Sequence, residues 1–312
     1  MISNSRPPFD PRNKSVLNWV DGEFIPRFAP AIPVYDSGLM HGKLVWSSPR
    51  LVRRRVFRLL DHLQKIRSSA QLNFWPRVPS DDEMIDAIRA TLLKNAMEDG
   101  VHIRIMLTAG NQLTAGMDLA NVTDEEGNPS APRLIIAPEY RGAVYDRGGI
   151  SAITSRFLRA GPETVDQRSH DNNQNASARA CYEAKQRGVT TALMYDAQGF
   201  LSEAFASHAA IVRSGKLYTP RVRCCPEGVT RRVILELCSA NGIDAVEADI
   251  SNEDVNHADE IFIMGTMSGP VAVTTLDGDP VGSGRIGPVT RRLYDLYAAA
   301  TMDERQSYPI LE

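Results

Sequence analysis

The stretch DQRSHDNNQNASARACYEAKQRG, Asp166 to Gly188, runs almost directly into an apolar strand, TALMYD (Thr191 to Asp196). A turn over 197–199 and the segment LSEAFASHAAIV follow. A polar run (Asn172, Asn173, Gln174, Asn175) follows His170, and a helix ends at Gly188. Helix, strand, glycine turn and second strand in so short a span put any polar group in the opening run beside a packed α and β framework.

The rest of the composition bounds what that framework serves. The chain has 312 residues, 43% of them apolar, enough for one large or two ordinary domains with packed cores. A net charge of −3 argues against a nucleic-acid stripe or a membrane-surface patch. No run of eighteen apolar residues is present, so no spanning helix is expected. The start, MISNSRPPFDPRNK, is polar and Pro-rich, unlike a signal peptide. Cys181, Cys224, Cys225 and Cys238 lack the density of a disulfide scaffold, which points to a reducing cytoplasm. The adjacent Cys224–Cys225 pair has no second Cys/His pair nearby to complete a metal site, so none is expected.

Working outward, LNWVDGEFIP reads as a hairpin turning at Asp21–Gly22. Ile32 to Tyr35 reads as a short strand with a turn at Ser37–Gly38, and 39–59 as two strands rich in Val, Trp and Phe. A helix is expected from Asp61, with Leu63, Ile66, Ala70 and Leu72 recurring at helical spacing. A second has Ser80 as N-cap, acids in its first turn and Gly100 as its stop. VHIRIMLTAG and RLIIAPEY read as strands, joined by a long polar loop over 111–131. The expected division is a small α+β domain over 1–140, a linker over 141–147 and a large domain over 148–312.

Several motifs in order, namely IPVYDSGLMHG, VFRLLDHLQKI, the opening stretch with LSEAFASH, DEIFIMGT and TTLDGDPVGSGRIGPVTRRLYDLY, resemble the fold-type IV pyridoxal-phosphate enzymes. The resemblance covers most of the chain and is nearest the (R)-amine transaminase and branched-chain aminotransferase branches. It implies a two-domain α+β fold and a homodimer in which small-domain loops complete the partner's pocket. In that family a lysine at the start of the helix holds the cofactor as an imine. Registering on Asp166 and on Glu183–Ala184 puts that lysine at position 170, where this chain has histidine.

The resemblance assigns the pocket residue by residue. Glu203 matches the glutamate beside the pyridine nitrogen, where a carboxylate keeps the nitrogen protonated and the ring electron-withdrawing. Val229 and Thr230, at a Gly turn entering a helix, present N–H groups suited to phosphate, and Thr230 could instead serve as the helix N-cap. Thr266 matches a phosphate-contacting threonine, and Met267 narrows the cup where the family has a small residue. Lys65 replaces an arginine, keeping the charge but losing the two-pronged contact. Trp46 matches the pocket aromatic, and Ser47 stands at an acidic position. Arg104 resembles a substrate-carboxylate arginine and could equally make a structural ion pair.

Among the other lysines only Lys43 stands near enough in the motif order to be an open candidate for the missing one. Lys185 is fifteen residues further on, about 22 Å along a helix. Lys94 and Lys216 fall on a surface helix and a hairpin. Lys43 shares a strand face with Val45 and Ser47, opposite Trp46, so it points away from the pocket. His170 forms no stable imine but can move protons. The expected activity is therefore that of a lysine-deficient aminotransferase. It would bind pyridoxal or pyridoxamine phosphate noncovalently and act on a small amine or amino acid and a keto acid. Two alternatives stand beside it: a noncatalytic B6-phosphate or metabolite-binding homologue, and a lyase or hydrolase using His170 as acid–base.

Overall fold

The computed structural model describes residues 9–312, which form two units. The first contains the described residues through Gly142, the short return Ser169–Asn173 and the tail Asp303–Glu312. The second contains Ala143–Arg168 and Gln174–Met302. The first change of unit lies between Gly142 and Ala143. The two returns lie outside the expected division, because they are made by pairing between residues far apart in the chain.

The first unit opens with the hairpin β1 (Leu17–Val20) and β2 (Glu23–Pro26), turned by Asp21 and Gly22 at φ 48° and 97°. Ile32–Tyr35 does not form the expected strand. Pro33 cannot donate to a ladder, and Asp36 instead caps a short helix, α1 (Ser37–His41), through the N–H of Gly38. Three strands, not two, follow: β3 (Leu44–Ser47), β4 (Arg50–Val52) and β5 (Arg55–Phe57). Pro49 separates the first two, and Arg53–Arg54 turn the others at φ 46° and 67°. Helix α2 (Leu59–Leu72) starts slightly ahead of Asp61 and buries Leu59, Leu63, Ile66 and Ala70. Each large apolar side chain so buried stabilises the fold by about 1.5–3 kcal/mol. Helix α3 (Asp81–Lys94) starts at Ser80 as expected but ends at Asn95. Gly100 serves instead as a φ 67° turn into β6 (Val101–Thr108). The long loop leads to β7 (Arg133–Tyr140).

The second unit comprises β8 (Ile150–Thr154), α4 (Asn175–Gln186), β9 (Thr191–Tyr195), β10 (Leu201–Ala204), β11 (His208–Arg213) and β12 (Lys216–Pro220). It continues with α5 (Val229–Ala240), β13 (Ala245–Ala248), α6 (Asn252–Asn256), β14 (Glu260–Gly265), β15 (Gly269–Leu276), β16 (Asp279–Pro280) and α7 (Pro288–Met302). The tail strand β17 (Ser307–Tyr308) pairs with β5 in the first unit.

The first sheet has the order β17–β5–β4–β6–β7–β1–β2, with β3 on β6. Helix α2 packs on β3, and α3 on β7 and β1. The second sheet is mixed, ordered β10–β9–β8–β15–β14–β11–β12–β13. Helix α4 packs on β9, α5 on β14 and β13, and α7 on β15 and β14. Strand β10 also approaches β11, which brings the residues flanking the turn at 205–207 together.

Candidate active site

In the first unit the site is a row of side chains on one sheet face. Val45 and Ser47 point into the core, and Ser47 Oγ meets buried His62 Nδ1 at 2.8 Å. Alternation turns Leu44 and Trp46 to the other face. The segment Ser169–Asn173 lies extended along β3: Trp46 N–H donates to the His170 carbonyl at 3.0 Å, and Asn172 N–H to the Leu44 carbonyl at 3.1 Å. Position 170 is therefore extended, not part of a helix, since α4 starts at Asn175. The helical path estimated from 170 to Lys185 does not exist. Helix α2 clamps the segment from the side. Ser69 Oγ accepts from His170 N–H at 2.9 Å, and Asn73, one helical turn on, donates to Ser169 Oγ at 2.7 Å.

His170 and Trp46 meet as tilted rings, with centroids 3.7 Å apart and planes at 55°, and the Arg104 guanidinium lies 4.0 Å from the Trp46 centroid. Trp46 directly opposes Met106, and Arg104 reaches it from the diagonal position. His170 Nδ1 is 2.6 Å from the Trp46 carbonyl, which only accepts. The proton therefore sits on Nδ1, and Nε2 is the basic nitrogen. Burial lowers the Arg104 pKa, with Arg141 adding to the effect. His102, on the same strand, is pushed down to about 4 by burial and by the charges of Arg104 and Arg141. Lys43 lies just before β3, and its Nζ donates to the Met117 carbonyl at 2.8 Å. Burial lowers its pKa. Of the expected polar wall, Asn172, Asn173 and Asn175 are exposed and Gln174 is half-buried.

In the second unit, Glu203 is placed by a register shift. Leu201 opposes Tyr195 and Glu203 opposes Met194, so Ser202 is the extra residue of a bulge that re-aims the carboxylate. Glu203 is 7% exposed, and its Oε1 lies 2.8 Å from a guanidinium nitrogen of Arg159, itself 3% exposed. Arg159 also donates to Ser177 Oγ at 2.6 Å, to Gln167 Oε1 and to the Cys224 carbonyl at 3.3 Å. Ser202 Oγ donates to that carbonyl as well, at 2.9 Å, so the loop leading to α5 is tied to the bulge. Cys225, in that loop, is pushed up to about 12 by burial and by the nearby Glu203 charge, which leaves a neutral thiol.

Helix α5 starts at Val229 with Gly228 as N-cap, no side-chain cap bond and no acid in its first turn. Thr230 is thus inside the helix and is not its cap. Thr266 and Met267 occupy the turn between β14 and β15.

Residues 48–276 match the family described as amino-transferase class IV. The chain belongs to the class IV aminotransferase family.

Among class IV aminotransferase relatives, it is 34% identical over 305 residues to branched-chain-amino-acid aminotransferase-like protein 2 of Arabidopsis thaliana, covering 96% of this chain and 54% of that one. The chain thus spans about half the length of that relative. It superposes on the branched-chain amino acid aminotransferase of Escherichia coli with a TM-score of 0.83 and 28% identity, covering 92% and 94% of the two chains. A second branched-chain amino acid aminotransferase, from T.th. and solved with pyridoxamine 5'-phosphate, matches at a TM-score of 0.85 and 25% identity, with 95% and 99% covered.

Class IV aminotransferases use pyridoxal phosphate, and the second unit's residues fit such a group. A helix start without acids or a side-chain cap offers N–H groups to a phosphate, and the buried Glu203 carboxylate suits a protonated ring nitrogen. Val229, Thr230, Thr266, Met267 and Glu203 all belong to this unit, while Lys65 (half-buried on α2), Trp46, Arg104 and His170 belong to the first. Nothing in the residue order singles out Arg159, one of many arginines, or Ser69 and Asn73, which look like ordinary helix residues. Among the described residues no cluster suits a metal ion, and no helix is long and apolar enough to cross a membrane.

Proposed function

We propose that this class IV aminotransferase homologue binds pyridoxal or pyridoxamine phosphate without a covalent link and acts on a small amine or amino acid and a keto acid. The observation that carries the reading is His170, fixed on β3 by the Trp46 carbonyl and the Ser69 hydroxyl, at the position where the resemblance expects a lysine. In the proposal, Lys65, Val229, Thr230 and Thr266 hold the phosphate, beside Met267, and Glu203 holds the ring nitrogen. The bound group supplies an electron sink for the substrate α-carbon. His170 Nε2 takes or returns a proton, and Arg104, held over the Trp46 ring, orients a substrate carboxylate. A homodimer and a cytoplasmic location belong to the same reading. Exposed Val34, Tyr35, Leu39 and Met117 support the first, and four free cysteines the second.

A second reading, a noncatalytic binder of B6 phosphates, draws on the same hydrogen bond. An imidazole held by Nδ1 to a backbone carbonyl also serves simply to anchor the segment.

Borohydride reduction followed by mass spectrometry tests the proposal. Wild type with pyridoxal phosphate is expected to bind it and yield no adduct, whereas His170→Lys yields one at residue 170. An adduct on wild-type Lys43 would overturn the noncovalent reading. Binding without any spectral response to amino donors would favour the noncatalytic one.

A further inference from the structure

Gly228 has φ −92° and ψ 127°, a backbone conformation open to any residue, so its lack of a side chain needs another cause. The cause is His208. A Cβ at Gly228 would lie 2.1 Å from His208 Nε2 and 2.3 Å from its Cδ2. The imidazole therefore lies against the N-cap of α5, where only glycine leaves it room. Its other nitrogen, Nδ1, is 3.9 Å from Glu203 Oε2. One ring thus spans from the carboxylate suited to a pyridine nitrogen to the helix start suited to a phosphate.

We propose that His208 is a positioning residue that couples the Glu203 carboxylate to the α5 N-terminus, so that its charge sets the affinity for a phosphate monoester. The inference rests on the B6-phosphate reading above and goes further by giving this residue a role in that site. Protonated, the ring lies beside Glu203 and within reach of an anion at the uncapped helix start. Neutral, it contributes to neither. Several charged groups on neighbouring elements among the described residues bear on the ring. Glu203 on β10 is shared with Arg159. In the first turn of α5, Arg231 pairs with Glu247 and Arg232 lies 3.7 Å from Glu227. On β14 the residue paired with His208 is Met264, which is uncharged. Cys225 is neutral over the working range.

The test is calorimetric titration of the full chain with pyridoxamine 5'-phosphate, and with pyridoxamine lacking the phosphate, between about pH 5.5 and 8, the range in which an imidazole changes charge. The ligand's phosphate ionises in this range in any background, so the readout is wild type against His208→Asn. The wild-type affinity for the phosphorylated ligand, relative to the variant, is expected to fall about tenfold across the range, one pKa unit of coupling. For pyridoxamine, which offers only its ring to Glu203, the ratio should not fall. Gly228→Ala, which displaces the ring, should abolish the same pH-dependent component, and adding His208→Ala should restore the folding stability that Gly228→Ala loses. Identical pH profiles in wild type and His208→Asn, or an equal effect on pyridoxamine, would overturn the coupling while leaving the cofactor reading intact. Absence of pyridoxamine phosphate binding to wild type would overturn both.

Discussion

Helices α3 and α5 begin in opposite ways. At α3, Ser80 Oγ accepts from Glu83 N–H, the Glu83 carboxylate accepts from Ser80 N–H, and Asp81, Asp82 and Glu83 fill the first turn. The orphan donors and the positive end of the dipole are answered by the helix's own sequence. Helix α6 follows the same rule through the Ser251–Asp254 box, whereas α7 takes its acceptor from β14: the Glu260 carboxylate accepts from the N–H groups of Val289 and Thr290. Helix α5 has a glycine cap, no acid, and Arg231 and Arg232 in its first turn. Helix α4 also starts without a side-chain cap or a first-turn acid, so a bare start is not by itself a ligand site. Helix α5 differs in lying, through Gly228, against the His208 ring that reaches Glu203, and its N–H groups suit an anion from outside.

The largest effect that sharpens this contrast concerns the carboxylate the second unit does keep. Glu203→Ala leaves Arg159 buried without its ion partner. A loss of about 3 kcal/mol in unfolding free energy is expected, because breaking one side of a buried pair strands the other charge. Urea titration of the ligand-free protein measures it. A loss within experimental error would mean that Ser177, Gln167 and the Cys224 carbonyl suffice for Arg159, and that Glu203 is kept for a ligand alone.

Next is Thr230→Asp, which gives α5 the acid that α3 already has. The ligand-free helix should tolerate it to within about 1 kcal/mol, since an acid in the first turn favours the dipole. Affinity for pyridoxamine 5'-phosphate, followed calorimetrically, should drop on the order of 100-fold, or about 2.7 kcal/mol, from like-charge repulsion and a lost anion site. Unchanged affinity would break the contrast, because the α5 start would then not be where the phosphate goes.

The smallest effect is Ser80→Ala, expected to cost about 1 kcal/mol and to leave ligand binding untouched. It also carries a pH signature. The Glu83 carboxyl is held below its ordinary value by the Ser80 N–H and then by its hydroxyl. That contribution is fully present above the unfolded value of about 4.3 and is lost as pH falls through the lower folded value. Wild-type stability should therefore fall in acid more steeply than that of Glu83→Gln, which has no carboxyl to titrate, and equal slopes would remove Glu83 from the cap.

Much of this is legible in the residue order. The Asp21–Gly22 hairpin, the Ser80 cap and the family motifs are local patterns, and local patterns survive folding. The misread elements fail for identifiable reasons. Ile32–Tyr35 reads as a strand, but Pro33 and the Asp36 cap outweigh its β propensity. Position 170 reads as a helix start, but β3 offers an open edge that takes the segment as an extended partner. Gly100 reads as a helix stop, yet Asn95 ends the helix first.

The sequence by itself determined the family and the mixed α and β fold class, and it raised the expectation that His170 stands at the lysine position, because these depend on residue order alone. Only the tertiary structure decided what that histidine touches. It rests on Trp46 and Ser69 because strand pairing joins residues more than a hundred positions apart. In the same way, the pairing of Arg159 with Glu203, and the His208 ring that requires Gly228, follow from contacts between segments that no periodicity along the chain records.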